Sequence, residues 1–272
     1  MPSPQPNFFQ RNALNLARLG MLAAFLIVWE VASNRFDAAF WVSSPTAIVD
    51  ALKRWYEEGN LVADTRATLL EAGTGFVIGS LAGALLGFFL GWIRRLGDLL
   101  EPFVLAIYTL PKVALAPLFV LWFGIGLLNK VMFSALLVFF MVFFTTFQGA
   151  RQVDQEVVTN ARLLGAGRFQ IWQKIALPFA AVWVFTGLRI GLPYALIGAI
   201  VGEFVAANTG VGYRIKEATA FFDTASVFAG LVVLMAISST FLAILKLVER
   251  RALRWQSTDQ AATAIATEAK AN

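Results

Sequence analysis

Six times along the chain the sequence enters a stretch of apolar residues nearly free of charge: 19–28, 67–93, 99–123, 131–147, 179–205 and 226–245. About 20 apolar residues carry a helix across a bilayer core, and in hydrocarbon only helices and closed barrels satisfy every backbone N–H and C=O. The pattern therefore predicts an all-α membrane protein of about six transmembrane helices. In a chain of 272 residues they leave no room for a sizeable soluble domain. Composition agrees, since 58% of residues are hydrophobic and 14% charged, against roughly 45–50% and about 25% in soluble domains.

The flanks are polar. Residues 1–18, with Pro2, Pro4, Pro6, Arg11 and Arg18, read as a cytoplasmic N-terminal segment, 19–255 as the membrane domain, and 256–272 as a flexible cytoplasmic tail. The start resembles a signal peptide, but Trp29 and Glu30 break the approach to Val31, Ala32 and Ser33, which favours an uncleaved first span. Between the first two spans, Ser44 as N-cap, Pro45 at the first helical position and Ile48, Leu52, Trp55 and Tyr56 predict a short amphipathic helix on the membrane surface.

The sequence has neither His nor Cys. That removes imidazole bases, thiolate nucleophiles, disulfides and Cys/His metal sites, and no G-x-x-x-x-G-K-[ST] phosphate loop is present. The chain is read as a non-enzyme. Its net charge of +5 is dispersed, and no basic run is long enough to track nucleic acid. With a cytoplasmic N-terminus, the inner segments carry Arg11, Arg18, Arg94, Arg95, Arg151, Arg162, Arg168, Lys174, Lys246, Arg250, Arg251, Arg254 and Lys270. The outer ones carry Arg35, Lys53, Arg54, Arg66, Lys130, Arg214 and Lys216. This bias puts both termini in the cytoplasm.

Two cations fall inside spans. Lys112 lies in a segment broken by Pro102, Pro111 and Pro117, and Arg189 lies in the fifth span. Counted from Glu101 and from Pro178, each sits roughly 16 Å from the cytoplasmic side if helical. A lysine at that depth costs on the order of 2.5–3.5 kcal/mol. Each cation therefore ties down freed carbonyls, pairs with another span, or meets an anionic substrate. Glu203, further out along the same helix as Arg189, is a third candidate for the path. Gly75, Gly79, Gly83, Gly87 and Gly91 form a ridge with four-residue spacing that predicts close helix packing.

In the connection 151–178, Val157, Val158, Ala161 and Leu164 mark one short helix. Gly165, Ala166 and Gly167 stop it, and Phe169, Trp172, Ile175 and Ala176 mark a second that ends at Leu177 and Pro178. The segment from Thr159, Asn160 and Ala161 through Gly165 to Ile175, Ala176, Leu177 and Pro178 resembles the E-A-A-x3-G-x9-I-x-L-P loop of binding-protein-dependent ABC importer permeases. LPKVALAPLFVLWFGIG (110–126), TGLRI (186–190) and GEFVAANTGVGY (202–213) resemble their nitrate/sulfonate/taurine/bicarbonate branch.

The resemblance implies a type I importer (MetI-like) fold in a bacterial inner membrane. It implies a second permease copy, two cytoplasmic ATPase subunits holding ATP and Mg, and a periplasmic or lipid-anchored binding protein. No cofactor is expected on this chain. The coupling helix is carried onto Thr159, Asn160, Ala161, Leu164, Gly165, Ala166 and Gly167, with Thr159 and Asn160 departing from the family's Glu-Ala. The substrate is expected to be a small anion of the sulfonate, taurine, nitrate or bicarbonate type, with a heteroaromatic vitamin or precursor as the alternative. An ion-coupled secondary transporter is the rival class, but it would need internal repeats and relay carboxylates, of which Glu203 is a lone candidate.

Overall fold

A computed structural model describes residues 8–35 and 39–253. Residues 1–7 of the N-terminal segment and the tail read as 256–272 lie outside the described residues. Among those described, every regular element is helical: α1 (Phe8–Arg35), α2 (Ala39–Val42), α3 (Pro45–Glu57), α4 (Asn60–Trp92), α5 (Arg94–Thr109), a 3-10 turn (Lys112–Leu115), α6 (Ala116–Phe123), α7 (Leu127–Arg151), α8 (Gln155–Leu163), α9 (Arg168–Ile171), a π turn (Trp172–Ala176), α10 (Leu177–Ala206), α11 (Val211–Ala220) and α12 (Thr224–Ala252). Five are long and apolar enough to cross a membrane. The pair Arg95–Thr109 and Lys112–Phe123, bent by 80°, is long and apolar enough only when both are taken together, as a broken span or a re-entrant loop, which gives five or six spans among the described residues. The break follows from Pro111, which has no N–H to continue α5, while Pro117 sits harmlessly in the first turn of α6.

The described residues pack as two units. The first joins 8–64 with 214–233. There Ser44 caps α3, accepting from the N–H of Ala47 at 3.3 Å, and Glu30 of α1 accepts from the Thr46 N–H at 3.0 Å and its hydroxyl at 2.7 Å. Ile48 and Ala51 bury against Ala229, with Trp29, Leu52 and Phe228 beside them. The apolar face of α3 is thus covered by protein and not laid on lipid, a correction to the surface-helix expectation, and Tyr56 of the expected face is exposed.

The second unit joins 65–213 with 234–253. Its centre is α7, pressed from two sides. Along α4 a Cβ at Gly83, Gly87 or Gly91 would stand 2.6–2.7 Å from the carbonyl oxygens of Phe139, Phe143 and Phe147. One at Gly75 would meet the Val131 oxygen at 2.9 Å, and one at Gly79 would run into the Ala135 oxygen. Five glycines and five carbonyls thus step together four residues at a time. From α10, Gly187, Gly198 and Gly202 make equally close approaches to Thr145, Ser134 and Lys130. In lipid, where apolar burial does not separate helix from helix, such backbone contact is a main source of association.

The fifth span begins earlier than its Pro178 suggests. α9 runs without a break through the π turn into α10, so Leu177 and Pro178 do not end a helix. The N–H of Leu177 reaches back five residues to the Trp172 carbonyl. This wider turn accommodates a proline that would otherwise clash with an i−4 carbonyl and leave it unpaired.

Candidate functional site

Two polar constellations of the second unit stand out. The first is buried. Lys130, expected in an outer loop, lies inside α7 and donates to Glu71 of α4, with side-chain exposures of 6% and 2%. Its cost in an apolar helix is met by that ion pair, a partner three spans of sequence could not reveal. Glu203 has no exposed surface. It accepts from the Thr68 hydroxyl at 2.6 Å and from the N–H of Gly212 at 2.5 Å, while Thr68 in turn accepts from the N–H of Val211 at 2.9 Å. These bonds take up free N–H groups in the first turn of α11. A Cβ at Gly210 or Gly212 would collide with the Glu203 carboxylate, and Gly210 has φ +117, so the glycines of GEFVAANTGVGY make room for the acid. Glu71 and Thr68 were missed by sequence reading, although an acid inside a glycine-lined apolar span is the signal that could have found them.

The second constellation is exposed. Asp154 caps α8, accepting from the Glu156 N–H at 2.8 Å. The helix ends in a Schellman turn: Gly165 donates to the Arg162 carbonyl at 3.0 Å and Ala166 to that of Ala161 at 2.9 Å, with Gly165 at φ +87. Val158 and Ala161 face a cluster with Val153, Ile171, Ala166, Ile175 and Trp92. Val157 and Leu164, expected on that same face, point away. Leu164 is 89% exposed and Leu163 81%, with Phe169 exposed beside them. Thr159 and Asn160 are also exposed, and Gly167 opens α9, its N–H bonded to the Gln170 side chain at 2.9 Å. A groove of about 390 Å³ runs along Ala161, Leu164, Gly165, Ala166, Gln170 and Lys174. The α8–α9 segment is thus a compact knob with an exposed apolar rim beside a groove.

The two intraspan cations both hold protein oxygens. Lys112, at the break, donates to the Tyr108 carbonyl at 2.6 Å and lies 4.3 Å from the Tyr108 ring and 4.9 Å from that of Phe140. Arg189 binds Glu249 of α12 at 2.7 Å through Nε. Glu249 stands in the last turn of α12, so the fifth span is tied there to the end of the last helix. Both cations keep exposed surface, Arg189 with 53% of its side chain.

In the first unit, Arg214 lies between Asp64 at 2.9 Å and Glu217 at 3.1 Å, and Trp55 donates to Asp64 at 3.1 Å. Burial works against the Arg214 charge, but the hydrogen bond and charge of Asp64, reinforced by Glu217, outweigh it and raise its pKa. Among the described residues no cluster of acids, His or Cys could hold a metal ion.

Comparison with known proteins gives this arrangement its context. Residues 75–254 match the family described as the binding-protein-dependent transport system inner membrane component. The chain is 31% identical over 86% of its length, and 86% of the relative's, to a putative aliphatic sulfonates transport permease protein of Bacillus subtilis. It is 35% identical to a riboflavin transport system permease protein of Chloroflexus aurantiacus, over 92% of each chain. Its fold is similar to a chain of the methionine ABC transporter MetNI in inward-facing form, with TM-score 0.56 and 19% identity over 69% of this chain and 95% of that one. Five or six apolar spans, the match over 75–254 and the shared fold give one conclusion: the chain belongs to the binding-protein-dependent transport system inner membrane component family and is a multi-pass permease subunit of an ABC importer.

Proposed function

We propose that two copies of this chain form the translocation path of an ATP-driven importer, with both termini cytoplasmic and the α8–α9 knob seated on a separate ATPase. ATP and Mg are held by that ATPase and not by this chain. Residues Thr159, Asn160, Ala161, Leu164, Gly165, Ala166 and Gly167 form the docking element. The observation that carries this is the pair Leu163 and Leu164, held outward by a Schellman turn at 81% and 89% exposure. Closure of the ATPase pair would draw two such knobs together and switch the cavity between inward and outward access.

The substrate we assign is a small anion of the sulfonate type, delivered by an extracytoplasmic binding protein. Lys112 and Arg189 are the cations placed on the path; Glu203, fully enclosed, shapes its wall. A second reading, a flavin-like heteroaromatic, is favoured by the riboflavin permease relative and by the 25 Phe and 8 Trp of the sequence.

Reconstitution with a partner ATPase and an extracytoplasmic binding protein tests both. Gly165→Asp is expected to leave the subunits assembled while ATP hydrolysis no longer drives uptake; undiminished uptake would sink the docking assignment. Taurine and alkanesulfonates should raise the melting temperature of the binding protein where riboflavin does not, and the reverse result establishes the second reading.

A further inference from the structure

The structure offers one connection that the docking element does not by itself explain. Arg151 is the last residue of α7, four residues before α8 begins. Its guanidinium leaves α7 sideways and grips α5, donating to Glu101 at 3.1 Å and to Asp98, and it stacks 5.2 Å over the Phe147 ring. Asp98 and Glu101 are three apart and so share one face of α5. Gly97 lies on the same turn; a Cβ there would press on the Leu90 carbonyl oxygen at 2.5 Å and on the Phe147 ring at 3.2 Å, so the glycine lets α5 lie close to the end of α4 and to the ring beneath Arg151.

At its other end α5 meets the break, where Tyr108 packs edge-on against Phe144 of α7 at 4.5 Å and holds Lys112 through its carbonyl. α5 is thereby strapped to α7 twice, by charge at the knob end and by aromatic contact at the break. α4 and α10, in contrast, are joined to α7 by backbone contact along their length.

The knob is tied to the same point. Val153, two residues beyond Arg151, is buried with Val158 of α8 and Ile171 of α9, so α8 cannot shift without moving the end of α7. A two-oxygen grip on a planar guanidinium fixes direction as well as distance. We propose that Arg151 is the positioning residue that passes displacement of α8 to α5, through Asp98 and Glu101, and so to the bent span at Lys112. The inference rests on the docking reading of α8 given above.

The absence of cysteine makes the test direct. Single cysteines replacing the exposed Glu156 in α8 or Phe103 in α5, labelled with bimane, report each element separately in the complete permease–ATPase complex on addition of ATP, Mg and vanadate. In the parent complex both labels should respond. With Arg151→Gln, the Glu156 label is expected to keep its response while that at Phe103 falls about fivefold or more, a coupling loss of the size that separates linked from unlinked sites. Asp98→Asn combined with Glu101→Gln should do the same from the α5 side, and Arg151→Glu with Glu101→Arg should recover part of the Phe103 signal. An undiminished Phe103 response in both kinds of variant overturns the proposal. So does loss of assembly in both, which would make Arg151 a purely structural residue. A Glu156 label that is silent in the parent complex instead overturns the docking reading beneath it.

Discussion

The buried cluster around Lys130 and the exposed knob around Leu164 invert each other. In the first, charged groups are enclosed among apolar helices: Glu71 and Glu203 show at most 2% of their surface, and their bonds close on Lys130, Thr68 and the first turn of α11. In the second, apolar side chains stand free on a turn whose N–H groups are bonded within the helix end. The buried charges find partners inside the chain, although one oxygen of Glu71 has none. The exposed apolar side chains have no covering surface in their own unit. On the function proposed above, the first region serves folding and the second assembly.

That division can be broken most sharply at Lys130. Lys130→Met leaves Glu71 buried without its cation, and a cost of about 3–5 kcal/mol is expected, read as loss of detergent-stable protein and a lowered melting temperature. Leu164→Asp is the mirror case: the melting temperature should hold while co-purification of the ATPase falls. If Leu164→Asp destabilised the isolated chain as much as Lys130→Met, the separation of roles would be lost. A smaller effect is expected at Gly83→Leu, where the new side chain must displace the Phe139 carbonyl and the Phe143 amide, at about 1–3 kcal/mol of overpacking, seen as lower yield of folded chain. Smallest is Gly165→Ala. There is open space around it, and only its φ of +87 resists a side chain, worth about 1–2 kcal/mol and confined to faster amide exchange at Ala166.

What the sequence showed depended on range. Local signals were legible: the Ser44 cap, the glycine ridge on α4, the proline break at 110–111 and the Gly165 stop all depend on residues close in the chain. Partnerships across the fold were not. Lys130 read as a loop cation because Glu71 lies 59 residues away, and the partner of Arg189 could not be named because Glu249 lies 60 residues away. Apolar periodicity also failed on α8. It could not say which of Val157, Val158 and Leu164 would turn to the protein, since α8 is apolar on its outer side as well.

The π turn at Trp172–Ala176 has a consequence for how this chain can change by insertion and deletion. An α-helix advances about 100° per residue, and the buried positions along the fifth span keep step at Ala176, Ala180, Gly187 and Gly191, but the preceding one, Ile171, is five residues before Ala176 rather than four. One residue is in effect stored in the turn. Removing any one of the five would let the helix return to ordinary winding with four residues where five stood, and because four α-helical residues end on nearly the same face, Phe169 and the Gly165 joint would keep their bearing relative to α10. The same single deletion within the α-helical part of the fifth span would swing the knob by about 100°; here it would only shorten the approach.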